Sequence, residues 1–187
     1  MMSEIFTFNN ESLEKVKFAL SKYPKGREQS AVMSLLDIAQ RQNGGWLSKS
    51  AIEHVASHLD MPYIKVFEIV TFYSMYYTTP VGKYFVQVCT TTPCWLKGSD
   101  DVVKACKEII SSDQNQLSDD GLFSWMEVEC LGACVNAPLV QINDDFYEDL
   151  NYENTKNVLQ SLIDGTPSPI GSQTGRKGSR AEEHVKS

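Results

Sequence analysis

The chain has 187 residues, 42% hydrophobic and 22% charged, enough for one good core or two small ones and unlike a disordered sequence. A formal net charge of −7 leaves no basic surplus to meet phosphates, which excludes a typical nucleic-acid binder. No apolar run approaches the roughly 20 residues that span a bilayer, so direct membrane insertion is not expected. The start, Met1-Met2-Ser3-Glu4-Ile5-Phe6, shows neither a signal peptide nor an Arg-rich presequence. A soluble chain in a reducing compartment is the expectation. Its five cysteines then read first as ligands or buried thiols and only second as disulfides.

Residues 1–80 read as a helical bundle. Leu13, Val16, Leu20 and Tyr23 recur at helical steps until Pro24 and Gly26. Val32, Leu35, Leu36 and Ala39 share a face that ends at Asn43-Gly44-Gly45. Ser50 with Glu53 suggests a capping box for a third helix with Ile52, Val55, Ala56 and Leu59 inward. Asp60 before Met61-Pro62 suggests the cap of a fourth, whose Ile64, Phe67, Ile69, Val70 and Tyr73 form a broad apolar surface. Nothing in this half carries recognisable chemistry.

Residues 81–165 change period. Tyr84 to Val88 is a β-rich run ending at Cys89, and Ser99-Asp100-Asp101 opens a helix through Ile110. Phe123 to Glu129 alternates like a strand and ends at Cys130. Leu139 to Ile142 and Phe146 to Glu148 flank a turn at Asn143-Asp144-Asp145, and Tyr152 to Ile163 is helical. Strand, helix, strand, hairpin, helix predicts a compact α/β domain with a mixed sheet, making the whole chain α+β. Residues 166–187 turn to Gly, Ser, Pro and Arg, the composition of a flexible tail that stays extended or disordered until something binds it.

Cys89-x4-Cys94 and Cys130-x3-Cys134, with 35 residues between them, each lie just past a predicted strand. Four thiolates suit a [2Fe–2S] cluster or structural zinc, and disulfides or plain buried thiols stay open as well. Zinc knuckles tend to be tighter, so these wider loops favour a binuclear cluster with Cys89 and Cys94 on one iron and Cys130 and Cys134 on the other. Thr90, Thr91 and Thr92 offer hydroxyls and amides near the sulfurs, Gly132 lets the backbone approach, and Pro93 and Pro138 stiffen the loops. Hydrogen bonds to sulfur raise a cluster's potential, whereas carboxylates such as Glu129 and Asp144 lower it. Cys106 shares a helical face with Val102, Ile109 and Ile110 and reads as a small buried hydrophobe. No Cys-x-x-Cys redox motif occurs. His54 and His58 are half a metal site at most and read as structural, and His184 carries no signal. No residue reads as a catalytic acid, base or nucleophile.

The strings Val88-Cys89-Thr90-Thr91-Thr92-Pro93-Cys94 and Glu129-Cys130-Leu131-Gly132-Ala133-Cys134-Val135-Asn136-Ala137-Pro138 resemble the signature of one family, the 24 kDa [2Fe–2S] subunit of respiratory complex I, the NADH-quinone oxidoreductase. Leu36 to Gln42 with Gly45-Trp46, Val70 to Tyr73, Gln141 to Asp145 and the Gly/Arg stretch from Gly171 to Ser179 extend the likeness over nearly the whole chain. The resemblance implies a thioredoxin-like ferredoxin domain after the helical bundle, with one [2Fe–2S] cluster on Cys89, Cys94, Cys130 and Cys134. It implies an electron-transfer subunit, not catalytic alone, of a proton-translocating NADH:quinone oxidoreductase. The partner subunit would carry FMN and the NADH site, beside other peripheral-arm subunits.

Mitochondrial members carry a transit peptide, so its absence suggests a bacterial source or a processed form. The expected location is the cytoplasmic side of the bacterial inner membrane, or the matrix side for a processed form. Arg176, Lys177 and Arg180 are candidates for docking to acids on the partner, while the end from Arg180 to Ser187 has no assigned role. Alternatives are a diaphorase subunit of an NAD-linked hydrogenase or formate dehydrogenase, a zinc-stapled binding module without redox function, and a stand-alone ferredoxin.

Overall fold

The computed structural model describes residues 5–177 and separates the chain into Met1–Val81 and Gly82–Ser187. In the first unit, Asn9 accepts a hydrogen bond from Ser12 N–H at 2.8 Å and starts α1, Asn10–Ser21. Helices α2 (Val32–Gln42), α3 (Lys49–His58) and α4 (Tyr63–Phe72) follow. Leu35, Leu36, Leu47, Ile52, Val55 and Val66 fill the bundle's core.

Two helix starts differ from the sequence expectation. Ser48, not Ser50, caps α3, its hydroxyl accepting from Ala51 N–H at 3.2 Å. Leu47 is buried and its N–H donates to the Tyr77 carbonyl at 2.7 Å, so this contact fixes the chain just ahead of Ser48 and sets where the helix begins. Asp60 does not cap α4. With φ at 50° it closes α3 instead: Met61 N–H donates to the Ala56 carbonyl at 2.9 Å and Asp60 N–H to that of Ser57 at 3.3 Å, the two bonds of a Schellman motif. Pro62 stands at the start of α4. Only Val66 and Val70 of α4 are buried; Ile64 and Phe72 point to solvent.

The second unit is built on a mixed sheet of β1 (Tyr84–Cys89), β2 (Phe123–Val128), β3 (Leu139–Ile142), β4 (Asp145–Glu148) and β5 (Gly171–Ser172), ordered β2-β1-β3-β4-β5. The pairs β1–β2 and β4–β5 are parallel; β1–β3 and β3–β4 are antiparallel. Helix α5 (Thr92–Leu96) follows β1 directly, α6 (Ser99–Ile109) crosses to β2, and α7 (Tyr152–Ile163) follows the hairpin. Alternation along the strands splits the unit into two apolar layers. Val86, Val88, Trp125 and Val140 pack with Val102 and Cys106 of α6 and Val158 and Leu159 of α7. Cys89 and Leu139, of opposite parity, belong to a smaller cluster with Cys94 and Ala137. At the entrance to β1 a Cβ on Gly82 would lie 2.3 Å from the Phe123 carbonyl carbon, so only glycine lets the chain pass β2 there.

The tail departs from the expectation over the described part. Residues through Lys177 do not run free: β5 adds to the sheet edge with Tyr147 opposite Gly171 and Glu148 opposite Ser172. Arg180 and His184 lie outside the described residues. Among the described residues no helix is long and apolar enough to cross a membrane.

Candidate metal centre

Parallel pairing places the two cysteine motifs together. Cys89 is the last residue of β1 and stands opposite Val128, the last of β2, so both following segments leave the sheet at one end. After Cys89 the chain turns at once into α5, with Trp95 N–H donating to the Thr91 carbonyl at 2.9 Å. That turn swings Cys94 back until its thiol donates to the Cys89 sulfur. After β2, Gly132 at φ 90° reverses the other loop, and the sulfurs of Cys130 and Cys134 come to 3.4 Å. Cys89 and Cys94 are buried, and Cys130 and Cys134 are exposed.

The surroundings suit charged sulfur at Cys89. Burial opposes its ionisation, but the Thr91 hydroxyl at 3.4 Å, the backbone N–H groups of Leu131 and Thr91 and the Cys94 thiol outweigh it and hold its pKa below the ordinary thiol value. Cys94 is pushed up to about 12 by burial, by donating to Cys89 and by that sulfur's charge, against one backbone N–H from Leu139. Cys134 is raised, first by its contact with Cys130. The Leu131 amide on Cys89, and the charges of Cys89 on Cys134 and of Cys134 on Cys94, tie the two loops into one site.

Of the three threonines only Thr91 reaches a sulfur; Thr90 N–H continues the ladder to the Val128 carbonyl and Thr92 opens α5. Glu129 stays beside Cys130, but Asp144 does not lie near the sulfurs as its sequence position suggested. It sits in the β3–β4 turn, next to Asn143, whose N–H donates to the Phe85 carbonyl. Phe85 is four residues from Cys89, roughly 13 Å at strand spacing, too far for a dominant effect on the thiols. The approach of the Gly132 loop backbone, expected from the sequence, is made by the Leu131 amide, whereas sequence reasoning missed α5. Thr91-Thr92-Pro93 is a cap residue followed by Pro in the first turn, the signal from which α5 was readable.

Cys106 is fully buried on α6, in the layer on the other face of the sheet, and burial raises its thiol to about 12. The folded chain therefore holds this proton up to about pH 12, while the unfolded chain releases it near pH 9. Its contribution to stability is full below pH 9 and is lost as pH rises toward 12. The unfolding free energy of the wild type should fall more steeply than that of Cys106→Ala between pH 9 and 11, by about 1.4 kcal/mol per pH unit. Parallel slopes in urea titrations would refute this. His54 and His58 lie 6.2 Å apart (ring centres) among Phe6 and Phe8, and His54 Nε2 accepts from Phe8 N–H at 3.5 Å, a structural use of the pair.

Among the described residues no group of three or more His, Cys, Asp or Glu side chains has the arrangement of a single-ion site. The thiols come as two facing pairs, with amides of Thr91, Leu131 and Leu139 already aimed at the sulfurs. Such a donor set fits a binuclear cluster, in which each iron takes two thiolates and the sulfurs accept hydrogen bonds. Residues 16–163, a span containing all four cysteines, match the thioredoxin-like [2Fe–2S] ferredoxin family.

The chain belongs to that family.

This ferredoxin is 51% identical over 158 residues to a subunit of the NADH-quinone oxidoreductase of Rickettsia typhi, covering 84% of this chain and 93% of the other. It is 47% identical over 178 residues to the mitochondrial NADH dehydrogenase (ubiquinone) flavoprotein 2 of Dictyostelium discoideum, covering 95% and 72%. A crystal structure of an NAD+-reducing [NiFe]-hydrogenase shares the fold at a TM-score of 0.59 and 18% identity, over 71% of the ferredoxin and 23% of that chain. The ferredoxin thus joins an N-terminal helical unit to a thioredoxin-like α/β domain, and it is an electron-transfer [2Fe–2S] subunit homologous to oxidoreductase subunits.

Proposed function

We propose that this ferredoxin serves an NADH-quinone oxidoreductase, with Cys89, Cys94, Cys130 and Cys134 as the four ligands of one [2Fe–2S] cluster. The observation that carries the assignment is the arrival of both cysteine pairs at one end of the parallel β1–β2 pair, with a Leu131 amide from the second loop on the first loop's Cys89. When bound, the cluster supplies one-electron transfer. The protein's own share is to bury Cys89 and Cys94, to aim the Thr91, Leu131 and Leu139 amides at sulfur, and to leave Cys130 and Cys134 exposed. That exposed pair is the natural side for electron exchange.

The electron donor or acceptor is the FMN of a partner subunit that also binds NADH, and the chain sits peripherally on the cytoplasmic side of the bacterial inner membrane. The identity of the relatives and their extent of coverage support this reading. Lys177 is the described member of the basic docking trio that remains available; Arg176 is engaged within the chain. A second reading, the diaphorase subunit of an NAD-linked hydrogenase, is favoured by the shared hydrogenase fold, but at 18% identity that likeness speaks only for architecture.

Electron paramagnetic resonance of the reduced full chain tests the centre, and co-purification with the flavin subunit tests the partner. One [2Fe–2S] signal and a stable complex are expected. A colourless chain containing zinc and no iron would sink the first claim, and failure to form a complex in which flavin and cluster exchange electrons would sink the second.

A further inference from the structure

The segment from Gly171 runs beside β4, and Gln173 N–H donates to the Glu148 carbonyl at 2.9 Å. This course carries Arg176 to the 3-10 turn Cys134–Asn136, which begins at the second cysteine of the Cys-x3-Cys loop. The guanidinium donates to the Val135 carbonyl and to Asn136 Oδ1, the latter at 2.6 Å, while its Nε lies 3.2 Å from Asp149 Oδ1. Asp149 also accepts from Ser172 Oγ at 2.6 Å, so the tail is tied at two points to one acid whose side chain is only 10% exposed. Asn136 is itself buried; its amide donates to Glu148 Oε2 at 2.6 Å and its carbonyl accepts from Asp149 N–H at 2.8 Å. The two residues directly after Cys134 are therefore both gripped by one side chain from 40 residues downstream. Cys130 and Cys134, being exposed, have little packing of their own to hold them.

We propose that Arg176 is a positioning residue for the cluster: by clamping Val135 and Asn136 it fixes the Cys134 end of the loop, making the segment after Gly171 part of the site's support. The proposal rests on the four-cysteine assignment above. Arg176 acts on the sulfurs only through the turn. A planar guanidinium with donors in a fixed fork spans a carbonyl, an amide oxygen and a carboxylate together, which a lysine ammonium does not reproduce. Outer partners that orient ligands commonly weigh about 10- to 100-fold in metal retention.

The test uses the full chain carrying its cluster, as wild type, R176A, R176K and K177A. A chelator's bleaching of the visible absorbance gives the rate of cluster loss, and the reduced samples give the paramagnetic resonance line shape. Expected are cluster loss about 10-fold faster in R176A, faster than wild type in R176K as well, and a changed line shape in both. K177A, altered in the same segment at an exposed side chain, should lose its cluster at the wild-type rate and keep the wild-type line shape in this chain alone, since docking by Lys177 needs the partner. Should R176A not accumulate as folded protein, R176K against wild type carries the comparison. Equal rates and line shapes in wild type and the Arg176 variants overturn this proposal alone. A wild-type chain without a [2Fe–2S] centre overturns the cysteine assignment and this proposal with it.

Discussion

Alanine at Cys89 should remove the [2Fe–2S] signal of the reduced chain and bring its iron content to background, whereas alanine at Cys106 should leave both intact. The contrast follows from where the two buried thiols sit. Cys89 ends β1, accepts hydrogen bonds from Thr91, Leu131 and Cys94, and acts through its charge on Cys134. Its pKa is drawn below the ordinary thiol value in spite of burial, because the Thr91 hydroxyl, the Leu131 and Thr91 amides and the Cys94 thiol stabilise its charge. Cys106 packs in the other apolar layer of the sheet, with Val102 and Val158, so it serves as a buried side chain with no second thiol of that layer beside it among the described residues. Alanine is the sharper probe than serine because it offers iron no donor atom. Iron and sulfide analysis with paramagnetic resonance decides the matter: an unchanged signal in Cys89→Ala would refute the ligand assignment.

The largest effect on stability belongs to Trp125. It is fully buried at the middle of β2, opposite Val86, and its indole N–H donates to the Ser111 carbonyl at 2.9 Å. Trp125→Ala deletes that packing, leaves a cavity between sheet and helices and strands the Ser111 carbonyl, a loss of about 3–5 kcal/mol by comparison with other buried aromatic truncations. Because β2 delivers Cys130 to the site, the variant should also lose its cluster faster at temperatures where the wild type retains it. Trp125→Phe, which keeps most of the apolar volume, should recover more than half of the stability. Urea unfolding of the apo-chains measures this; a loss below about 1 kcal/mol in Trp125→Ala would mean the sheet does not depend on this residue.

Most element boundaries were legible because the periodicities are clean. The apolar steps of Val158, Leu159 and Leu162 mark α7, and the alternation from Phe123 marks β2, both as observed. The helix starts were less legible because serine competes with serine. Ser48 and Ser50 are both competent caps, and the burial of Leu47, a tertiary fact, selects the first. Asp60 carries the chemistry of a cap too, but helix α3 claims it as a left-handed stop. A two-residue strand such as Gly171–Ser172 has no period at all, so the tail's return to the sheet leaves no trace in composition, and Arg176 reads as a docking candidate until its acceptors within the chain are seen.

For the metal centre the division is similar. The residue types, the spacings Cys-x4-Cys and Cys-x3-Cys, and the strands that precede them stand in the sequence, because ligand chemistry and local periodicity are local properties. That the two motifs meet is decided by the parallel register of Cys89 with Val128, and alternating apolar residues are equally compatible with either strand direction. The crossover through α6 and the burial of Trp125 and Val86 between sheet and helices select the parallel arrangement. Only then do a Leu131 amide and the Cys94 thiol reach Cys89 and does its charge act on Cys134, because contacts between residues far apart in the chain exist once packing has chosen one of the possible registers.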